Sequence, residues 1–162
     1  MDTQQDRSLP RPQHPLTMAL GIVLLIPAVS LVILGLVALG SGLTASYERI
    51  TPLAIGVASL AEAALFATAA RFTLSRERHP IGWLVIALLA TVFLLWSYLF
   101  RVGFSLWAEG LTVLPAALVE HAGLIFTGGV LGDLVIGAIF QTALGLLAIG
   151  AAITAVSQRS VA

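Results

Sequence analysis

Glu62 is the residue whose position in the sequence makes it the strongest candidate for chemistry. It interrupts an apolar stretch from Leu53 to Leu74 that carries no other charge before Arg71. It lies roughly ten residues, or about 15 Å of helix, from either end. A carboxyl group inside hydrocarbon favours its neutral form and needs a hydrogen-bond partner. We expect Glu62 either to bind a proton, a cation or a small polar solute, or to fix the packing of its helix by a hydrogen bond.

Gln141 is the predicted partner of that carboxyl group. It belongs to a row of small or polar residues that recur at every fourth position of the last apolar stretch, Asp133, Gly137, Gln141 and Gly145, and Ala148 and Ala152 continue the same face. Residues spaced in this way share one face of a helix. Because Gln141 reaches a depth similar to that of Glu62, we predict a hydrogen bond between them and a polar site midway through the membrane.

Arg101 and Asp133 form a second predicted pair. Arg101 comes late in the third apolar stretch and Asp133 immediately precedes the fourth. Both would lie within about one helical turn of the same membrane surface. We expect an ion pair that locks two neighbouring helices. A gate or a site for an anionic lipid headgroup is the alternative.

The remaining residues that could do chemistry do not form a recognisable site. The chain has no cysteine, and His14, His79 and His121 lie outside the apolar stretches, which argues against a haem or zinc site. Ser105 and His121, with Glu109 or Glu120, supply the residue types of a catalytic triad without a motif. We therefore expect no catalytic residue, no metal, no cofactor and no enzymatic activity. A formal net charge of zero provides no basic surface for nucleic acid.

The composition indicates what positions these residues. Of the 162 residues, 59% are hydrophobic and only 10% are charged. The surface of a soluble domain needs roughly 25 to 35% charged residues. Four apolar stretches, 16–39, 53–74, 81–107 and 134–156, are long enough to cross about 30 Å of hydrocarbon as helices. The predicted fold is an all-α integral membrane protein, an antiparallel bundle of four transmembrane helices. One transmembrane domain, 16–157, follows a disordered cytoplasmic segment, 1–15.

The linker between the third and fourth spans predicts one further element. Residues 111–127 are apolar over a length too short to cross the membrane and have one apolar face when projected as a helix. We expect a short helix that lies on the outer membrane surface and ends at Gly128 and Gly129.

Small residues predict which helix faces pack together. In lipid, helices associate where glycine, alanine and serine allow their backbones to approach closely. Gly21, Ala28 and Gly35 repeat every seven residues on the first span, and Gly40, Ser41 and Gly42 are expected to form the loop after it. The second span carries Gly56, Ser59, Ala63, Phe66 and Ala70 on one side, with Glu62 at its edge.

The arginines predict the orientation. If both termini lie on one side, that side carries Arg7, Arg11, Arg71, Arg76, Arg78 and Arg159, and the other side carries Arg49 and Arg101. Positive residues favour the cytoplasm, so we expect a multi-pass protein of the cell (inner) membrane with both termini cytoplasmic. Its partners would be the lipid bilayer and either another protein or further copies of itself.

Two functions remain open at this point. The first is an accessory, scaffold or assembly subunit that acts through helix–helix association. The alternative is an oligomeric transporter or channel for a proton, a cation or a small polar solute, using Glu62 and Gln141.

Overall fold

The computed structural model describes residues 15–46, 49–75, 77–123, 125 and 135–160. Within these ranges the protein is helical and contains no strand. The long helices are α1 (Pro15–Thr44), α2 (Ile50–Leu74), α3 (Pro80–Glu109) and α5 (Val135–Arg159). A 3₁₀ turn, Leu111–Val113, and a short helix α4 (Leu114–Glu120) follow α3.

The helix α1 packs along α2 over nearly its whole length, and glycines set the distance between them. A Cβ atom added to Gly21 would lie 2.7 Å from Leu74 Cγ, and one added to Gly42 would lie 2.8 Å from Leu53 Cγ. Between these two contacts, Gly35 faces Leu60 and Gly56. The contacts Gly21–Leu74, Gly35–Leu60 and Gly42–Leu53 keep one antiparallel register. Each step forward along α1 is matched by an equal step back along α2.

The sequence pattern on α1 and α2 is thereby confirmed. Gly21, Ala28 and Gly35 are buried, and Gly42 continues the seven-residue repeat. All the predicted small residues of α2 are buried, together with Phe66. Glu62 belongs to the buried face and not to its edge, since only 4% of its surface is exposed.

The helices α3 and α5 form the second antiparallel pair. The backbone N–H of His79, before the start of α3, donates to Gln158 Oε1 near the end of α5 at 3.0 Å. Further along, Gln141 of α5 contacts Leu94 of α3. Two segments of α3, Pro80–Trp96 and Arg101–Glu109, meet at an angle of 50°. The two helix pairs share one buried core that includes Leu31, Phe66, Ile86 and Leu144.

The long helices have the length and composition of membrane spans. Three of them, α1, α2 and α5, are each long and apolar enough to cross a membrane, and α3 is a fourth if its two segments form one span. Their outward surfaces are apolar as well: Ile22, Val57 and Ile149 are each about 60% exposed (58%, 62% and 62%). Such surfaces are unfavourable in water and suit a lipid environment.

The structure corrects one prediction about the linkers and supports another in part. The helix α1 continues through Gly40, Ser41 and Gly42, which were expected to form a loop, because Gly42 packs against Leu53 of α2. The element predicted over 111–127 is present in part as a short apolar helical segment, Leu111–Glu120, which consists of a 3₁₀ turn followed by the seven-residue helix α4. The expected end at Gly128 and Gly129 lies outside the described residues, as does the segment 1–15 apart from Pro15.

A smaller correction concerns the face of α5. Gly137, Gln141 and Ala148 are buried as predicted, but Ala152 is exposed. Ala151 and Ala155 are buried instead, at 1% and 2% exposure. By helical period Ala151 and Ala155 lie on the same side of α5 as the buried Leu144, whereas Gly145, which is partly buried, and Ala152 lie at the edge of that side.

Candidate functional site

The Glu62 carboxyl group is buried in the middle of α2. Leu53, Gly56 and Leu60 mark the side of α2 that meets α1, and Phe72, in contact with Trp83, marks the side that meets α3. By helical period Glu62 lies between these two sides and faces the bundle interior. Glu62 Oε1 has no hydrogen-bond partner among the described residues.

The predicted hydrogen bond between Glu62 and Gln141 is not formed in the described structure. The Gln141 side chain is buried, and its Nε2 donates to the backbone oxygen of Leu94 at 2.7 Å and to that of Ile125 at 3.1 Å. Two donations use both hydrogens of the amide group. Gln141 therefore joins α5 to α3 and to the segment that follows α4, and its N–H groups are not available to Glu62.

The position of Leu94 gives that contact a structural consequence. Leu94 lies shortly before the place where the two segments of α3 meet at 50°. A side chain that bonds to a backbone carbonyl within a helix is one of the identifiable causes of a bend. The Gln141 amide group thus holds α5 against the bent part of α3.

Ser59, one helical turn before Glu62, is a second polar residue without a partner. Its side chain is fully buried, at 0% exposure, and its Oγ atom makes no hydrogen bond to any described residue. The sequence indicated Ser59 only as a small packing residue. The sequence feature that could have identified Ser59 as part of the polar site is its spacing of three residues from Glu62, which places the two side chains next to each other on a helix.

Only one half of the predicted outer ion pair can be placed. Arg101 lies in the second segment of α3 and its side chain is exposed. Asp133 lies outside the described residues, so the pairing with Arg101 stays a prediction.

Ser105 and His121 are brought together by the connection between α3 and α4. Ser105 Oγ lies 3.2 Å from His121 Nε2, and Tyr98 Oη donates to the Leu118 backbone oxygen at 3.2 Å in the same region. Glu109 and Glu120 are exposed, and neither forms an ion pair in the described structure. The contact joins α3 to the residues after α4, and no described acid orients the imidazole as a catalytic triad requires.

An open groove separates α1 from α5. Its volume is about 520 Å³, and its floor contains Phe66 of α2 and Trp83 of α3. The walls are almost entirely apolar and come from α1 and α5: Leu20, Val23, Leu24, Ile26, Pro27, Ile139, Phe140, Ala143, Leu146, Leu147 and Gly150. The sequence did not indicate this groove, because the pattern along each helix does not reveal which helices fail to meet.

No group of three or more histidine, aspartate or glutamate side chains able to hold a metal ion occurs within the described ranges.

The class defined by the fold is a small all-helical protein with three or four helices able to cross a membrane. No protein-family model, no curated protein and no solved structure matches the chain.

Proposed function

We propose that the protein is embedded in the cell membrane as an antiparallel four-span bundle. A 25-residue helix such as α2 extends about 37 Å, more than the roughly 30 Å of hydrocarbon in a bilayer. The antiparallel pairs α1–α2 and α3–α5 support four successive crossings. The excess of arginine near the two termini and in the α2–α3 loop favours a cytoplasmic location for both ends.

Within the membrane, we infer that the protein acts as an accessory or assembly subunit through helix–helix association. The open groove between α1 and α5 carries this proposal. Elsewhere, glycine and alanine close the helix pairs tightly, whereas the groove leaves Gly150 exposed and Ala143 partly exposed above the buried Trp83 ring. Small residues beside large apolar ones allow another transmembrane helix to approach closely, and this packing drives association in lipid.

The transport alternative has less support. It requires Glu62 and Gln141 to form one midplane site, whereas the Gln141 amide nitrogen donates to two backbone oxygens and no hydrogen bond joins Gln141 to Glu62 in the described structure. What remains of that site is the buried Glu62 carboxyl group with its unpartnered oxygen.

Photo-crosslinking tests the association proposal. A photoreactive residue placed at Ile139, which lines the groove and is 63% exposed, should give a discrete protein adduct in native membranes. The matched control is Ile149, which lies on a different side of the same helix, is 62% exposed and does not line the groove. The mass of the adduct distinguishes a second copy from a different protein. Equal adducts from both positions, or lipid adducts alone, would contradict the proposal.

A further inference from the structure

Two neighbouring buried oxygen atoms on α2, Ser59 Oγ and Glu62 Oε1, have no hydrogen-bond partner among the described residues. Both side chains are more than nine-tenths buried, at 0% and 4% exposure. Buried polar groups in folded proteins are nearly always hydrogen-bonded to protein or to an ordered water molecule. We propose that Ser59 and Glu62 form a binding site for one water molecule, through which the Glu62 proton exchanges with the solvent.

The conformation of Ser59 supports this site. Hydroxyl groups within a helix commonly donate to the backbone oxygen four residues earlier. On α2 itself, Thr68 donates to Ala64 at 2.7 Å and Thr73 donates to Ala69 at 2.8 Å. Ser59 makes no such bond although it lies in the same helix, so its hydroxyl group is available to a ligand.

The spacing fits a molecule the size of water. One water molecule that makes two O–H···O hydrogen bonds of about 2.8 Å each can join oxygen atoms up to roughly 5.6 Å apart, and side chains three residues apart on a helix are neighbours within such reach. A buried water molecule typically makes about three hydrogen bonds. It can accept from a neutral carboxylic acid and donate to a hydroxyl oxygen, which satisfies both side chains at once.

The long helices place no charged side chain close to Glu62, and this favours its neutral form. The helix α1 contains no titratable residue at all, and α5 contains none before Arg159 at its end. On α3 the titratable residues are Tyr98, Arg101 and Glu109, all in its later part. Arg71 of α2 lies nine positions from Glu62, about 13 Å along the helix axis, and its side chain is exposed. Without a counter-charge, hydrocarbon surroundings favour the carboxylic acid over the carboxylate.

Infrared spectroscopy of the protein in proteoliposomes tests the proposal. The carbonyl-stretching band of a neutral carboxylic acid should be present at neutral pH and absent in Glu62→Gln. The band should shift when H₂O is replaced by D₂O, because the acid proton exchanges through the bound water. Ser59→Ala should move the band to higher frequency, since the water molecule loses one of its anchors. The matched control is Thr68→Val, which removes an exposed hydroxyl group already bonded within α2 and should leave the band unchanged.

Each other result overturns the proposal. If Glu62→Gln removes no carboxylic acid band, Glu62 is ionised and the assignment fails. If Ser59→Ala leaves the band where Thr68→Val leaves it, Ser59 takes no part. The deuterium shift is measured on the unmodified protein, so it remains decisive even if Ser59→Ala does not fold. A band that persists without a shift after long incubation in D₂O means that the site is closed to water. None of these outcomes depends on whether the groove between α1 and α5 binds a partner.

Discussion

Gly35 of α1 and Gly56 of α2 form a reciprocal contact between two backbones. A Cβ atom on Gly35 would lie 3.1 Å from the Gly56 backbone oxygen, and one on Gly56 would lie 3.0 Å from the Gly35 oxygen. Neither oxygen can move without moving its helix. Close approach at paired glycines is the way in which helices associate where apolar burial contributes little.

Replacing Gly56 by alanine should therefore separate α1 from α2. The added methyl group would also meet Leu39 Cγ at 2.6 Å, and overpacking of this kind costs about 1–3 kcal/mol. We expect Gly56→Ala to lower the free energy of unfolding by that amount in a denaturant titration of the detergent-solubilised protein.

Gly40→Ala in the same helix pair is the matched control. A Cβ atom there meets nothing within 4 Å, and alanine is the better helix former by up to about 1 kcal/mol. Equal destabilisation by the two variants would show that the α1–α2 contact is not tight at Gly56.

The sequence predicted these packing faces well because small residues at helical spacing have a direct physical meaning in lipid. The long apolar stretches likewise predicted the four long helices to within three residues at every end except the C-terminal end of α1, where the error is five residues. The end of α1 was missed because Gly40, Ser41 and Gly42 are typical of loops, while the contact of Gly42 with α2 keeps the chain helical.

The candidate site was predictable only in part. Helical period placed Gln141 on a buried face and Glu62 at the edge of one, and both residues are buried. It could not identify the hydrogen-bond partners of Gln141, since these are backbone oxygens near the bend of α3 and after α4. The sequence pattern specifies which face is buried, whereas the partner depends on how the helices are placed around the core.

Gln141→Leu should weaken the attachment of α5 to α3. The variant removes both hydrogen bonds from Nε2 while keeping most of the side-chain volume, and hydrogen bonds between membrane helices contribute about 0.6 kcal/mol each on average. We expect a loss of about 1 kcal/mol in the free energy of unfolding. Thr142→Val, the neighbouring control, removes only a hydroxyl group bonded within α5 to Ala138. A loss no greater than that of the control would show that the Gln141 contacts are dispensable.

The proposed four crossings can be tested with single cysteines, because the natural chain contains none. Ser46→Cys and Glu120→Cys, in exposed positions after α1 and at the end of α4, should react with a membrane-impermeant maleimide in intact spheroplasts. Glu77→Cys and Ser160→Cys should react only after the membrane is permeabilised. Labelling of Ser160→Cys in sealed spheroplasts would place the C-terminus outside and exclude the proposed orientation.

Filling the groove should abolish association without unfolding the bundle. Gly150 lines the groove, and a Cβ atom there meets nothing within 4 Å. Gly150→Leu therefore projects a side chain into the open space between α1 and α5 and should remove the partner adduct formed from Ile139. Gly103→Leu, on an exposed position of α3 that also has open space around it, should leave the adduct intact. Both variants should unfold at similar denaturant concentrations, because each replaces an unobstructed helical glycine by a good helix former. If Gly150→Leu retains the full yield of adduct, the partner binds elsewhere and the groove has no part in association.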